Sequence, residues 1–373
     1  MHSDRRGTGG RFTPPCGPDV EGSERPFAMI DLCMNRRAML AGLAPLAVGV
    51  AGTGAAAQAA KAPRLRTSGN RLLLGDEPVR LRGVVVGDLL KPGRPALFPY
   101  RDIARTWGAN AVRISVHPGY WNADTPGARR RVADNVRAAR AAGLFVILCW
   151  HALGFPGGFT FRPPATWGTR ADAFDTSIAK CRAFWSEMAE LYAPDGGIAF
   201  ELFNEPIRDP RNPDVEYRLW PRLRAVWTDI VGTVIRPRAD NVVICSGNRY
   251  SYDLRGIAEA PVESDNIAYA WHVYPRQGRQ SLPDWLVRLD NLQKHRPVIV
   301  TEWGFAQVGD PQFLATPQSF ADPLLRLLDA NGMSWFAYSF SPRAQPSLVE
   351  KDWKTPTAYG RYVIARLAES GAA

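Results

Sequence analysis

The chain has 373 residues, 46% hydrophobic and 22% charged, with a formal net charge of +10. That balance belongs to a globular protein with a large core and excludes a disordered or fibrous chain. The positive charge is mostly Arg spread among predicted outer helices, densest at Arg129-Arg130-Arg131. With no basic stripe interleaved with aromatics, and no zinc, helix-turn-helix or ribonucleoprotein signature, no nucleic-acid partner is expected.

The first element reads as an export signal. Asn35-Arg36-Arg37 opens an Ala- and Gly-rich stretch that carries no charge up to Ala60. An Arg pair before an uncharged segment that ends in small residues, here Ala57-Gln58-Ala59, is the twin-arginine layout. The stretch is only weakly hydrophobic for a spanning helix, so no stable membrane anchor is expected after cleavage near Ala59 or Ala60. Residues 1–59 are therefore assigned to the signal region and 60–373 to the mature domain, exported to the periplasm or medium. Residues 1–33 are either a long n-region or untranslated, with Met34 the first residue. The mature part keeps 40 basic and 31 acidic residues, and its Cys149, Cys181 and Cys245 read as buried thiols rather than a disulfide framework.

From about Leu72 short apolar strands alternate with amphipathic helices. A short β-hairpin around Ser68 to Asp76, punctuated by Asn70 and Gly75, is expected to close the bottom of the fold. Strands are predicted at 81–86, 111–116, 144–150, 198–203, 242–245, 267–271, 298–301 and 333–340. Between them, helical periodicity gives three apolar faces: Cys181, Phe184, Trp185, Met188 and Leu191; Leu223, Val226, Trp227, Ile230 and Val234; Trp285, Leu286, Leu289 and Leu292. Gly143 is placed to cap the helix around Val132 to Ala141. Eight βα units in about 300 residues predict one α/β domain, a (β/α)8 barrel with its functional face at the C-terminal strand ends. A doubly wound sheet is the alternative, but no Gly-rich dinucleotide fingerprint follows the first strand.

At those strand ends lie Arg113, His117, His151, Asn204, Glu205, His272, Tyr274 and Glu302, under a predicted long loop at 153–167. A carboxylate where a buried strand surfaces is costly to desolvate, so it needs a partner or a task. Glu205 ends the fourth strand and Glu302 the seventh, facing one another across the mouth. Such a pair is what glycoside hydrolysis uses, about 5–5.5 Å apart when configuration is retained. Glu201 reads as a structural ion-pair partner. Trp303 reads as core, because strand alternation turns it outward. His117 can simply start a loop, and isolated strand-end His residues are commonly structural. Five His and three mature Cys show no zinc spacing, so no metal is expected.

Together these pieces resemble glycoside hydrolase family 5, the cellulase-like retaining glycosidases. The matching runs are Leu81-Arg82-Gly83-Val84, Val112-Arg113, His151, Asn204-Glu205-Pro206, His272-Val273-Tyr274, Thr301-Glu302-Trp303-Gly304, and a C-terminal run from Pro346-Ser347-Leu348 to Thr355-Pro356-Thr357. The resemblance implies Glu205 as acid/base and Glu302 as nucleophile. Arg113 and Tyr274 would hold Glu302 ionised and oriented, Asn204 would bond the sugar 2-hydroxyl, and His151 and His272 would bond hydroxyls of the reacting sugar. One departure stands out: Tyr338 occupies the place where the family usually has a Trp floor. Trp121, Trp167, Tyr250 and Tyr252 are further candidate stacking platforms. The expected protein is an exported, monomeric, cofactor-free endoglucanase-like hydrolase of β-linked polysaccharide. Its rivals are a non-catalytic carbohydrate-binding barrel and the same chemistry on mannan, xylan or another β-glycan.

Overall fold

The computed structural model describes residues 63–162, 174–207, 219–275 and 281–369. The expected export region, Trp167 and part of the 153–167 loop lie outside the described residues. The segment expected as a hairpin is a three-stranded antiparallel sheet, β1 (Leu65–Ser68), β2 (Arg71–Leu74) and β3 (Glu77–Val79). The third strand comes from Glu77-Pro78-Val79, where a central Pro weakens any strand signal.

The eight predicted barrel strands all form. They are β4 (Arg82–Asp88), β5 (Ala111–Val116), β6 (Phe145–Trp150), β8 (Ile198–Glu201), β10 (Val243–Ser246), β11 (Ile267–Val273), β12 (Val298–Trp303) and β13 (Ser334–Ala337). They close in chain order, all parallel, with β13 pairing back onto β4. The two remaining strands, β7 (Leu153–Gly154) and β9 (Glu205–Pro206), make a two-residue parallel pair just beyond the C-terminal ends of β6 and β8.

Period-2 alternation divides the apolar residues into two cores. Inside, Val85, Ala111, Ile147, Ala199, Ile244, Ala268, Ala270, Ile299 and Phe336 pack with Leu65 and Leu72 of the small sheet, which therefore plugs the barrel bottom. Many of these are Ala, which leaves interior room for larger polar side chains one layer higher. Outside, residues such as Val84, Val112, Val146 and Val300 meet the helices.

The apolar helix faces are largely as predicted, with two corrections. Leu191 is 52% exposed, because Tyr192 takes the inward place at the end of its helix. Leu286 is 42% exposed, because Trp285, Leu289 and Leu292 alone line up at 3.6-residue spacing. Gly143 takes φ +84° just past the 17-residue helix Thr125–Ala141, as a C-terminal cap requires. Cys149, Cys181 and Cys245 are free and buried. Among the described residues no helix is long and apolar enough to cross a membrane.

One close approach decides a residue outright. A Cβ on Gly83 would lie 1.8 Å from the carbonyl oxygen of Ala111 on the neighbouring strand. Gly83→Ala is therefore expected to cost about 3 kcal/mol or more, since neither strand can withdraw without opening the barrel. A urea denaturation midpoint within error of the wild type would contradict this.

Candidate active site

Arg113 lies in the middle of β5 between Val112 and Ile114, which face the outer core, so its own side chain points inward and has no exposed surface. Its guanidinium donates from Nε and Nη2 to Glu201 at 2.5 and 3.0 Å, and from Nη1 to Oε1 of Glu302 at 2.7 Å. Nη2 also reaches Oδ1 of Asn204 at 2.8 Å and Sγ of Cys149 at 3.1 Å. A buried cation is tolerated only when paired and fully hydrogen-bonded, and the fork geometry of Arg meets both requirements. Burial pushes the Glu201 carboxyl upward, but Arg113 and His272 together outweigh it and hold the group at about 2.

Glu205 is positioned by backbone. Its N–H donates to the Ala152 carbonyl at 3.2 Å, and the Asn204 N–H donates to that of Trp150 at 3.0 Å, so the small β7–β9 pair fixes where the carboxylate leaves β8. Glu302 stands near the end of β12, and Oε2 accepts the Tyr274 hydroxyl at 2.8 Å. Two register shifts aim it. β12 slips against β13 between Val300 and Trp303, and β11 slips against β12 between Ala270 and His272. Strict alternation would put Thr301 and Trp303 on one face. With the irregularity, Thr301 and Glu302 both enter the site while Trp303 packs outside against Trp335 and Tyr359.

Carboxylate oxygens of Glu205 and Glu302 and a ring nitrogen of His272 all lie within 4.8 Å of one another. The two acids sit in opposite electrostatic settings. Burial raises both, but at Glu302 the cationic His272, Arg113 and His151 and the Tyr274 hydroxyl reverse the effect and leave it below the usual carboxylate range. At Glu205 burial wins: His272 opposes it, the Glu302 charge adds to it, and the group ends above its ordinary value. Among the described residues this trio is the single cluster able to ligate a metal, yet its atoms already face Arg113, Tyr274 and one another, a donor set suited to proton chemistry.

The hydrogen bonds also fix a tautomer. Ionised Glu201 can only accept, so the Thr301 hydroxyl donates to its Oε1 at 3.0 Å. That hydroxyl must then accept from Nε2 of His272, 3.0 Å away. Nε2 therefore keeps its hydrogen, and it is Nδ1, 2.9 Å from Oε1 of Glu205, that gains or loses one. Burial pushes the His272 ring down, but Glu302, Glu201 and Glu205 outweigh it and raise the ring to about 9. His272 has no exposed surface and both nitrogens engage protein. It positions Glu205 rather than reaching a sugar hydroxyl, which corrects the role implied by the resemblance.

Around this centre His151 puts Nδ1 2.7 Å from Oδ1 of Asp88 and Nε2 3.8 Å from Glu302. Asp88, at the end of β4, carries the same signal as the two Glu residues, a carboxylate where a buried strand surfaces. Sequence reasoning missed it because Leu89-Leu90 extends the apolar run. Tyr338 follows β13, half-buried, edge-on to Tyr274 with ring centroids 6.3 Å apart. Trp121 and Tyr252 are buried in the outer core, so neither is a stacking platform. Tyr250 is 44% exposed and near enough to Glu205 for the two charges to interact. His117 is buried, caps a short helix by accepting from Gly119, and stacks on Phe174.

Residues 96–344 match the cellulase family, glycosyl hydrolase family 5. The chain belongs to that family. The curated relatives include Endoglucanase N of Pectobacterium atrosepticum, 26% identical over 65% of this chain and 48% of that one, and Endoglucanase MaCel5A of Microbulbifer sp., 26% identical over 83% and 57%. The match thus spans about half the length of those proteins. Among solved structures, the beta-glucanase SdGluc5_26A of Saccharophagus degradans, in complex with cellotetraose, superposes with TM-score 0.72 at 22% identity, covering 83% of this chain and 94% of that one. The Thermobifida fusca endoglucanase Cel5A catalytic domain gives 0.64 at 21%, covering 82% and 97%. These likenesses establish the barrel fold.

The family-5 match begins after β4 and stops before the Pro346 to Thr357 run, yet both belong to the barrel: β4 bonds β13 and β5, and Leu348 donates its N–H to Ser339 at 3.0 Å. The tautomer lock is open to direct measurement. By 15N NMR, His272 should titrate near pH 9, with Nε2 protonated on both sides of the transition. Because the folded value lies above the ordinary 6.5, the charged ring stabilises the fold fully below that pH, and the contribution fades as pH rises through 9. Thr301→Val should lower the titration by about one pH unit, and Thr301→Ser should not. A ring that titrates at or below 6.5, or that releases the Nε2 proton, would exclude the lock.

Proposed function

We propose that this family-5 chain is a retaining glycosidase that hydrolyses β-linked glucan by double displacement, with Glu302 as nucleophile and Glu205 as acid/base. The observation that carries the reading is the pair of carboxylates within 4.8 Å whose surroundings push their proton affinities in opposite directions. That separation leaves no room for the water an inverting enzyme places between its two acids, and it suits direct attack on the anomeric carbon.

In the first step ionised Glu302 attacks the anomeric carbon while protonated Glu205 gives its proton to the departing oxygen. In the second, Glu205 takes a proton from water as it attacks the glycosyl–enzyme ester. Arg113 on Oε1 and Tyr274 on Oε2 keep Glu302 ionised and hold its orientation. Asn204 gives its carbonyl to Arg113, which leaves its NH2 as the donor for the sugar 2-hydroxyl, a contact that strengthens in the transition state. His272 and Glu205 share a proton across 2.9 Å and titrate as a unit, so His272 can keep the acid supplied. Tyr338 forms the floor under the reacting sugar. The twin-arginine layout of residues 35–60 supports export; a reporter fused after residue 60 should reach the periplasm only with Arg36 and Arg37 intact.

Glu302→Gln should lower kcat at least about 10³-fold with the fold unchanged, because an amide cannot form the ester. Glu205→Ala should be partly rescued by azide on a substrate with an activated leaving group, and the glycosyl azide should keep the substrate's configuration. An inverted product would overturn the assignment of the two roles.

Tyr338→Ala should lower kcat and kcat/KM together, since stacking there supports the distorted sugar. Tyr338→Trp should retain activity on β-1,4-glucan. Unchanged rates for Tyr338→Ala on glucan, mannan and xylan would place the residue outside the site.

A further inference from the structure

Three cations gather at one wall of the mouth. Lys91 and Arg94 follow β4, Arg343 follows β13, and these strands are neighbours in the barrel. Arg94 donates to the Ser341 hydroxyl and lies 5.7 Å over the Trp353 ring, which joins the two loops. The Arg343 guanidinium lies against Gly93, where an added Cβ would fall 2.3 Å from its Nη1.

None of the three has a carboxylate within ion-pair distance among the described residues. Asp88, whose charge reaches Lys91 and Arg94, is already bonded to His151. Burial lowers the Lys91 ammonium, and Arg94 and Arg343 lower it further against the pull of Asp88. Arg94 is close enough to shift the ionisation of both Asp88 and Tyr338, and its Nε is buried without a partner. Like charges held together at a partly buried site cost stability unless something negative joins them.

Their position says what that could be. Glu205 leaves the barrel at β8, so the departing sugar lies on that side. The retained sugar then lies toward the opposite wall, β13 and β4, above Tyr338. Resting on the glycosidase reading, we propose that Lys91, Arg94 and Arg343 form a subsite for a carboxylate carried by the retained part of the chain, so that the preferred substrate is an acidic β-glucan. A neutral glucan would leave the cluster uncompensated, whereas one charge-assisted contact adds about tenfold in affinity.

Carboxymethylcellulose and hydroxyethylcellulose share one backbone and differ in charge. At low ionic strength, wild-type kcat/KM should favour the carboxymethyl polymer about tenfold or more. In Lys91→Met/Arg343→Met that ratio should fall toward one, while Arg137→Met, a distant surface control that is 74% exposed, should leave it unchanged. Affinity electrophoresis of Glu302→Gln in gels containing either polymer reads the same preference without turnover. No turnover of either polymer by wild type would count against the glycosidase reading, and the binding preference would still test the subsite. Equal retardation by the two polymers, or a kcat/KM ratio that the double variant does not change or that Arg137→Met changes equally, would overturn the subsite.

Discussion

The guanidinium of Arg113, sealed inside the barrel, is the interaction on which the rest of the site depends. It holds Glu201 on one side, Glu302 on the other and the Asn204 carbonyl between them. Removing one partner of such a buried network typically costs roughly 3–5 kcal/mol, because the remaining charges lose their compensation. The same cation keeps Glu201 ionised, which orients the Thr301 hydroxyl, which fixes His272, which addresses Glu205. A single strand position on β5 thus reaches both carboxylates, one directly and one through a chain of four hydrogen bonds.

That arrangement explains how two chemically identical side chains take different roles. Glu302 sits among cations and donors and stays charged. Glu205 is somewhat more open, at 17% side-chain exposure against 6%, and its principal partner is an imidazole that can give back the proton it takes. In the proposed mechanism, environment alone makes one a nucleophile and the other an acid. The register irregularities at the ends of β11 and β12 are part of the same device, since without them Thr301 and Glu302 could not both face inward.

The wall opposite Glu205 is built from different chemistry. Tyr338 stands where the resemblance implies a Trp with a larger face, and the loops beside it bring Lys91, Arg94 and Arg343 together with no carboxylate within ion-pair distance among the described residues. On the proposed reading, a smaller floor and a cationic rim bear on which glycan enters and leave the reaction untouched, as expected when specificity resides in loops mounted on a rigid barrel.

Much of this was legible in the residues. Eight apolar runs spaced by helical periodicity imposed the barrel, because a strand buried on both faces has few other ways to cover itself. Glu205 and Glu302 announced themselves as carboxylates at the ends of such runs. Asp88 carried the same mark and was obscured by the leucines after it. What one dimension could not hold were relations between strands: that Thr301 would break alternation, that His272 would be enclosed rather than open to sugar, that Trp121 and Tyr252 would turn into the core. Pairing register and closure decide those, and they depend on contacts between residues a hundred positions apart. The sequence by itself determined the fold, the family and the strand ends at which the two carboxylates stand. Tertiary structure alone decided which proton each would hold, because that follows from distances between charges on different strands.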